Sequence, residues 1–202
     1  MGQYLWPYGG EPNQEAIQTL FGSGLRYVIM FAPLAFVLAL SFGIQRMSYP
    51  VASVVFGLYS LVMGISLSAI FIVYSGQSIF LTFFVTAGTF LLMAIVGFTT
   101  KMDLTKLRPY LMFALFGIII AMLVNMFIGS STMDLVISGI GVVLFMGLTA
   151  YDVQRLSQMD YMMGINDSEE AKKVSIMGAL SLYLNFINLF LFLLRFLGSS
   201  RD

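Results

Sequence analysis

The 202-residue chain has no cysteine and no histidine, and its ten basic and ten acidic side chains make up only 10% of it. Each absence removes a class of chemistry. Without cysteine there is no disulfide, iron–sulfur cluster, thiolate zinc site or thiol nucleophile. Without histidine there is no imidazole ligand for metal or haem, no Ser–His catalysis, and not the usual side chain for a pH switch. Proton chemistry is left to carboxylates, tyrosines and lysines. The shortage of charge excludes most. Soluble domains average roughly 25% charged residues, and twenty charges cannot cover a water-soluble fold of this length. Because the charges cancel, nothing points to nucleic-acid binding.

What is present is apolar: 59% of the residues are hydrophobic, and they come in long runs. About 20 apolar residues in a helix cross a bilayer, and six segments qualify, at about 27–44, 51–74, 79–98, 110–128, 135–156 and 174–197. Backbone groups in lipid must be satisfied internally, and these runs lack the two-residue alternation of barrel strands. The sequence therefore predicts an all-α integral membrane protein, a polytopic bundle of six transmembrane helices within residues 25–198. A polar lead (1–24) precedes the bundle and a short tail (199–202) follows it. The connections are short, around Arg46–Pro50, Ser75–Gln77, Lys101–Pro109 and Gly129–Asp134, with Gln158–Lys173 the longest. No two glycines stand four apart, so the GxxxG packing motif is absent.

Positive charge sets orientation. Arg46, Lys101, Lys106, Arg108, Arg155, Lys172 and Lys173 fall on one side, and Arg26, Arg195 and Arg201 on the other. The first side is expected to face the cytoplasm, which places both ends of a six-span chain outside.

An ionisable residue inside a span costs about 2.5–3.5 kcal/mol at the bilayer centre, so the few polar residues there need a reason. Asp152 sits near the cytoplasmic end of the fifth run, within Thr149-Ala150-Tyr151-Asp152-Val153-Gln154-Arg155. It is either a helix-end acid paired with Arg155 or a carboxylate facing the bundle interior. Asn185 lies well inside the last run, with Asn188 at i+3 on the same face. These two either hydrogen-bond between helices or belong to a polar pathway. Arg195 reads as a snorkelling interfacial anchor. Arg46 is an ordinary cytoplasmic-side charge or a partner for Asp152. Asp152 is the only acid expected within a span. At about 1.5 Å per residue, the depths of Asp152 and Asn185 differ by roughly 5–6 Å, a gap that helix tilt and side-chain reach can close.

Four stretches carry a resemblance. They are Leu40-Ser41-Phe42-Gly43-Ile44-Gln45-Arg46-Met47-Ser48, Gly64-Ile65-Ser66-Leu67-Ser68-Ala69-Ile70-Phe71, Gly147 to Arg155, and Ala179-Leu180-Ser181-Leu182-Tyr183-Leu184-Asn185-Phe186-Ile187-Asn188-Leu189-Phe190. Their order and spacing resemble the bacterial branch of the Bax inhibitor-1 (transmembrane Bax inhibitor motif) family over about residues 17–198. The resemblance implies a seven-helix bundle with the last helix at its centre and a pH-regulated calcium leak in the bacterial inner membrane. In that scheme two aspartates in the last two helices share a proton, and an arginine near the cytoplasmic end of an early helix latches to them. Two carboxylates in contact cannot both ionise cheaply, which moves one of them towards neutrality.

The chain departs from the pattern twice. The first aspartate maps onto Asp152 and the arginine onto Arg46, but the second aspartate falls on Asn185, whose amide carries no titratable proton. The shared-proton switch is therefore in question, and Asp152 is expected to be held by Asn185 and Arg46 and to titrate at lower pH than in a relative with paired acids. The match also begins at the family's second helix. The first has no counterpart in Met1 to Leu20, which fits a shortened product or a mis-assigned start.

The first expectation is a calcium leak. Asp152, with Asn185, Asn188 and nearby carbonyls, offers a weak and transient calcium site, and Tyr151 is a secondary polar candidate. No cofactor is expected, and calcium enters only as the permeant ion. The lipid bilayer is the surrounding partner, and nucleic acid is not one. The alternative is a regulator that binds a membrane protease or other membrane proteins, with the polar stretch Ser157–Lys173 as a contact surface. Enzyme activity is not expected. An intramembrane aspartyl protease needs a second span aspartate and a rhomboid-type protease needs histidine.

Overall fold

The computed structural model describes residues 35–163 and 169–198, and it is helical nearly throughout, with no β-strand among the described residues. Helix α1 (Ala35–Arg46) ends in a 3-10 turn at Ile44–Arg46. It is followed by α2 (Tyr49–Leu67), a single turn α3 (Ile70–Val73) and α4 (Gly76–Thr99). A 3-10 turn at Leu104–Leu107 leads into α5 (Arg108–Ile128), and then come α6 (Ser131–Met163) and α7 (Glu169–Leu197). Five of these helices (α2, α4, α5, α6 and α7) are long and apolar enough to cross a membrane. The lead, residues 27–34 of the first predicted run, the middle of the last connection (164–168) and the tail 199–202 lie outside the described residues.

The helix ends follow local chemistry that the apolar runs do not report. The second run, predicted as one span over 51–74, is broken after Leu67. There the Ser68 hydroxyl and backbone N–H both donate to the Ile65 carbonyl, at 2.6 and 3.1 Å, a tightened i→i−3 pattern that competes with the α ladder. Ser75 acts as a cap, its hydroxyl accepting from the Ser78 N–H at 3.3 Å, so α4 begins at Gly76 inside the predicted turn. Ser130 caps α6 by accepting from the Met133 N–H at 3.2 Å, and that helix starts four residues before the predicted 135. Pro50 and Pro109 lie in the first turns of α2 and α5, where a missing N–H costs nothing. The α6 and α7 helices also run past the apolar runs into the polar connection, to Met163 and from Glu169.

Two compact units are distinguished, one of residues 35–79 with 169–177 and one of residues 80–163 with 178–198. In the first, Ile44, Ala52 and Ile176 form a small core flanked by Met47, Phe56 and Met177. The Glu169 carboxylate accepts from the Tyr49 N–H at 3.0 Å, and Lys172 Nζ lies 5.9 Å from the Tyr49 ring centre.

In the second unit, α5, α6 and α7 meet around Ile118, Ile137, Leu144, Phe145, Leu148, Leu189, Phe192 and Leu193. Phe145 stacks on Phe192 with centroids 5.7 Å apart. Phe186 packs edge-on against Phe83 and Phe90 of α4. Close approach uses isolated glycines in place of a GxxxG pair. A Cβ built on Gly97 lies 2.2 Å from the Ala150 carbonyl oxygen, so α4 and α6 touch backbone to backbone there. The Phe192 ring occupies the space beside Gly141.

Burial separates the helices. Within their most apolar windows α6 and α7 are 44% buried, against 11% for α4 and α5, which makes them the interior pair of the second unit. The outward faces are strongly apolar, with Phe113 and Phe127 of α5 more than four-fifths exposed. A surface of this kind is stable against lipid and not against water.

Candidate functional site: a buried acid–amide pair on a cavity

Most hydroxyls in the spans are spent on their own helices. Ser60, Ser66, Thr86, Ser138 and Thr149 each donate to the carbonyl four residues back. The carboxylate of Asp152 is treated differently. Tyr151 and Asp152 lie on the interior helix α6 and both are buried. Asn185, buried on α7, donates from Nδ2 to Asp152 Oδ2 at 2.8 Å. A carboxylate is an acceptor only, and a protonated carboxyl keeps one accepting oxygen, so this amide serves the acid in either state. The hydrogen-bond partner of Asp152 is thus Asn185 of α7 and not Arg155 of its own helix. Arg155 lies one turn further along the same helix, exposed and near enough to act on the acid through its charge alone.

The pair sits on a cavity of about 430 Å³ between α5, α6 and α7. Arg108, Met112 and Leu115 line it from α5, Tyr151, Asp152 and Arg155 from α6, and Ser181, Asn185 and Asn188 from α7. The Asn188 amide donates to the Leu184 carbonyl at 2.8 Å, leaving its carbonyl oxygen as the group it can offer a ligand. Four of the five predicted residues (Asp152, Asn185, Asn188 and Tyr151) are thus brought to one cavity. Arg46 belongs to the first unit, exposed in the 3-10 turn that ends α1. Among the described residues no three carboxylates cluster as a metal site would require, so Asp152 is the single anionic ligand the cavity provides.

Three features escaped the sequence reading. Gln154, buried, bridges the α4–α5 connection: its Oε1 accepts from the Leu104 N–H at 2.8 Å and its Nε2 donates to the Met102 carbonyl at 2.7 Å. Partners fifty residues away leave no local signal. Arg108 enters the cavity from the first turn of α5. Finally, Asp134 falls within the first turn of α6 and accepts from Arg195 Nη1 at 3.4 Å. This corrects one expectation, since Asp152 is not the only acid on a spanning helix, and it gives Arg195 an ion-pair partner. The capping serine Ser130 was the available signal for the earlier helix start.

A set of long apolar helices enclosing one buried carboxylate defines a polytopic α-helical membrane protein. The family model described as "Inhibitor of apoptosis-promoting Bax1" matches residues 13–202, and the chain belongs to the Bax inhibitor-1 family. It is 45% identical over 199 residues to an uncharacterized protein of Borreliella burgdorferi, covering 98% of this chain and 85% of that one. It is likewise 45% identical over 191 residues to the inner membrane protein YbhL of Escherichia coli, covering 94% and 82%. An uncharacterized membrane protein of Streptococcus pyogenes is 39% identical over 156 residues, covering 77% and 67%. The chain is accordingly a multi-pass protein of the bacterial inner membrane, in contact with the lipid bilayer.

Proposed function

We propose that the chain is a passive cation pathway for calcium, with the charge of Asp152 gating conduction and coupling it to pH. The observation that carries this reading is the buried Asp152–Asn185 hydrogen bond on the cavity wall. A carboxylate inside a span costs about 2.5–3.5 kcal/mol, and a purely structural helix contact could be made by two amides without that cost. Hard cations take oxygen ligands, six to eight for calcium. Asp152 with the amide oxygens of Asn185 and Asn188 supplies a few of these and one charge, so the rest must come from water. Such a site binds weakly and releases readily, which suits a leak. The resemblance of the Arg46, Asp152 and Asn185 stretches to the family pattern supports the same reading. With an amide in place of the second acid, one proton on Asp152 is exchanged where the family pattern has a shared one.

Calcium entry into proteoliposomes, followed across a pH series, tests this. Asp152→Asn is expected to change the flux and flatten its pH dependence. Asn185→Asp restores a second acid in contact with the first and is expected to move the pH midpoint upward. Equal flux at every pH in Asp152→Asn and parent removes the residue from the mechanism, and an unchanged midpoint in Asn185→Asp removes the amide from it.

A further inference from the structure

The cavity beside Asp152 is larger and more apolar than an ion requires. Its volume of about 430 Å³ falls in the range of small-molecule sites. Its wall along α5 is formed by Arg108, Met112, Leu115, Ile118, Ile119 and Met122, a stripe at spacings of three and four residues on one face of a helix. At 1.5 Å per residue this stripe is about 21 Å long, longer than the roughly 15 Å of hydrocarbon in one leaflet. It begins at a charge. Arg108 at its foot and Arg155 across the cavity are both exposed, and among the described residues neither has an ion-pair partner. Against these two cations the cavity sets one carboxylate, Asp152, already hydrogen-bonded to Asn185. Both arginines lie on the side that the distribution of Lys and Arg assigns to the cytoplasm. Ile119 lines the cavity while 40% exposed, so the apolar wall can be reached from outside.

We propose that this cavity holds an anionic phospholipid of the surrounding bilayer, with the headgroup phosphate on Arg108 and Arg155 and one acyl chain along Met112, Leu115, Ile119 and Met122. Basic pockets between transmembrane helices on the cytoplasmic side suit anionic headgroups, and arginine pairs with phosphate through two parallel hydrogen bonds. The apolar stripe distinguishes a lipid from a soluble anion, which would leave it unfilled. The assignment concerns occupancy of the cavity and stands whether or not the chain conducts calcium.

Native mass spectrometry of the purified full chain tests it, with phosphatidylglycerol and phosphatidylcholine of identical acyl chains as probes. The parent is expected to retain phosphatidylglycerol preferentially. The double variant Arg108→Gln with Arg155→Gln is expected to lose that preference by at least about tenfold, with phosphatidylcholine falling far less than phosphatidylglycerol. Met112→Trp, which fills the cavity and keeps both arginines, is expected to weaken retention as well. Equal retention of the two lipids by the parent overturns the proposal with no variant needed. So does full retention in the double variant or in Met112→Trp. Displacement of the lipid by an equal concentration of soluble glycerol phosphate also overturns it, because the stripe would then contribute nothing.

Discussion

Alanine at Gly97 would drive α4 and α6 apart. The added Cβ lies 2.2 Å from the Ala150 carbonyl oxygen and 2.9 Å from the Ala150 carbonyl carbon and Cα. An ordinary carbon–oxygen contact is about 3.3–3.6 Å, so the helices must separate by on the order of 1 Å. The obstacle is backbone, and no rotamer change relieves it. Overpacking of this kind costs about 1–3 kcal/mol. Replacing a helical glycine by alanine returns up to about 1 kcal/mol of propensity, but that gain is common to every such substitution. Gly88→Ala on α4 and Gly117→Ala on α5 isolate it, because nothing lies within 4 Å of a Cβ at either position. Gly97→Ala is therefore expected to fall below both controls by about 1–3 kcal/mol. Equilibrium unfolding in mixed micelles at rising dodecyl sulfate, followed by helicity, measures the difference. Equal stability of all three variants would refute the reasoning, since it would mean that α4 and α6 are not in backbone contact. Asp152 is only two residues from Ala150, so the same substitution is expected to disturb the acid–amide pair, whereas the two controls leave it alone.

Two further outcomes are expected. Gln154→Ala removes the amide that holds both Met102 and Leu104. It should cost about 1–3 kcal/mol and speed amide hydrogen exchange at Leu104, and unchanged exchange there would show that the bridge does not hold the connection. Asp103 lies outside the spans and is held below the usual carboxylate range, first by the Thr105 hydroxyl and then by the Thr105 backbone N–H. A lowered folded-state pKa means that the carboxylate's contribution is present above the unfolded pKa and is lost as pH falls through the folded one. The turn at Leu104–Leu107 should therefore loosen only in acid, once pH has fallen below the ordinary carboxylate value towards the lowered folded one. Thr105→Val should move the Asp103 titration upward, towards the ordinary carboxylate value, as read by carboxyl carbon resonances. An unmoved titration would remove the hydroxyl as the cause.

Composition and run length carried most of the architecture, because a bilayer imposes one solution on any long apolar stretch. The ends of the helices were less legible. Ser68, Ser75 and Ser130 each act through a single hydroxyl on a nearby backbone group, two of them starting a helix and one ending it. A run of hydropathy averages over such details. The acid–amide pair was half legible. The residues that resemble the family pattern named Asp152 and Asn185, and counting helix rise brought them within reach. The hydrogen bond itself, and its donor direction, depend on how α6 and α7 are rotated, which residue spacing does not report. Gln154 and the Asp134–Arg195 pair were illegible for a related reason. Their partners are distant in sequence, and Asp134 was excluded from its span by an apolar run that begins one residue later.

The donor direction of the Asp152–Asn185 bond has a consequence for what a proton can do there. Asn185 now offers its Nδ2 hydrogen to an acceptor. Once protonated, Asp152 gains a donor while its carbonyl oxygen still accepts, so the same asparagine can keep donating from Nδ2 or turn its amide over and present Oδ1. The bridge between α6 and α7 can thus persist with either end as the giver, whereas two carboxylates in the same places would come apart when both ionise. Proton uptake at Asp152 would then act less as a latch that opens than as the removal of a charge from inside a clasp that stays shut, with no need for either helix to move.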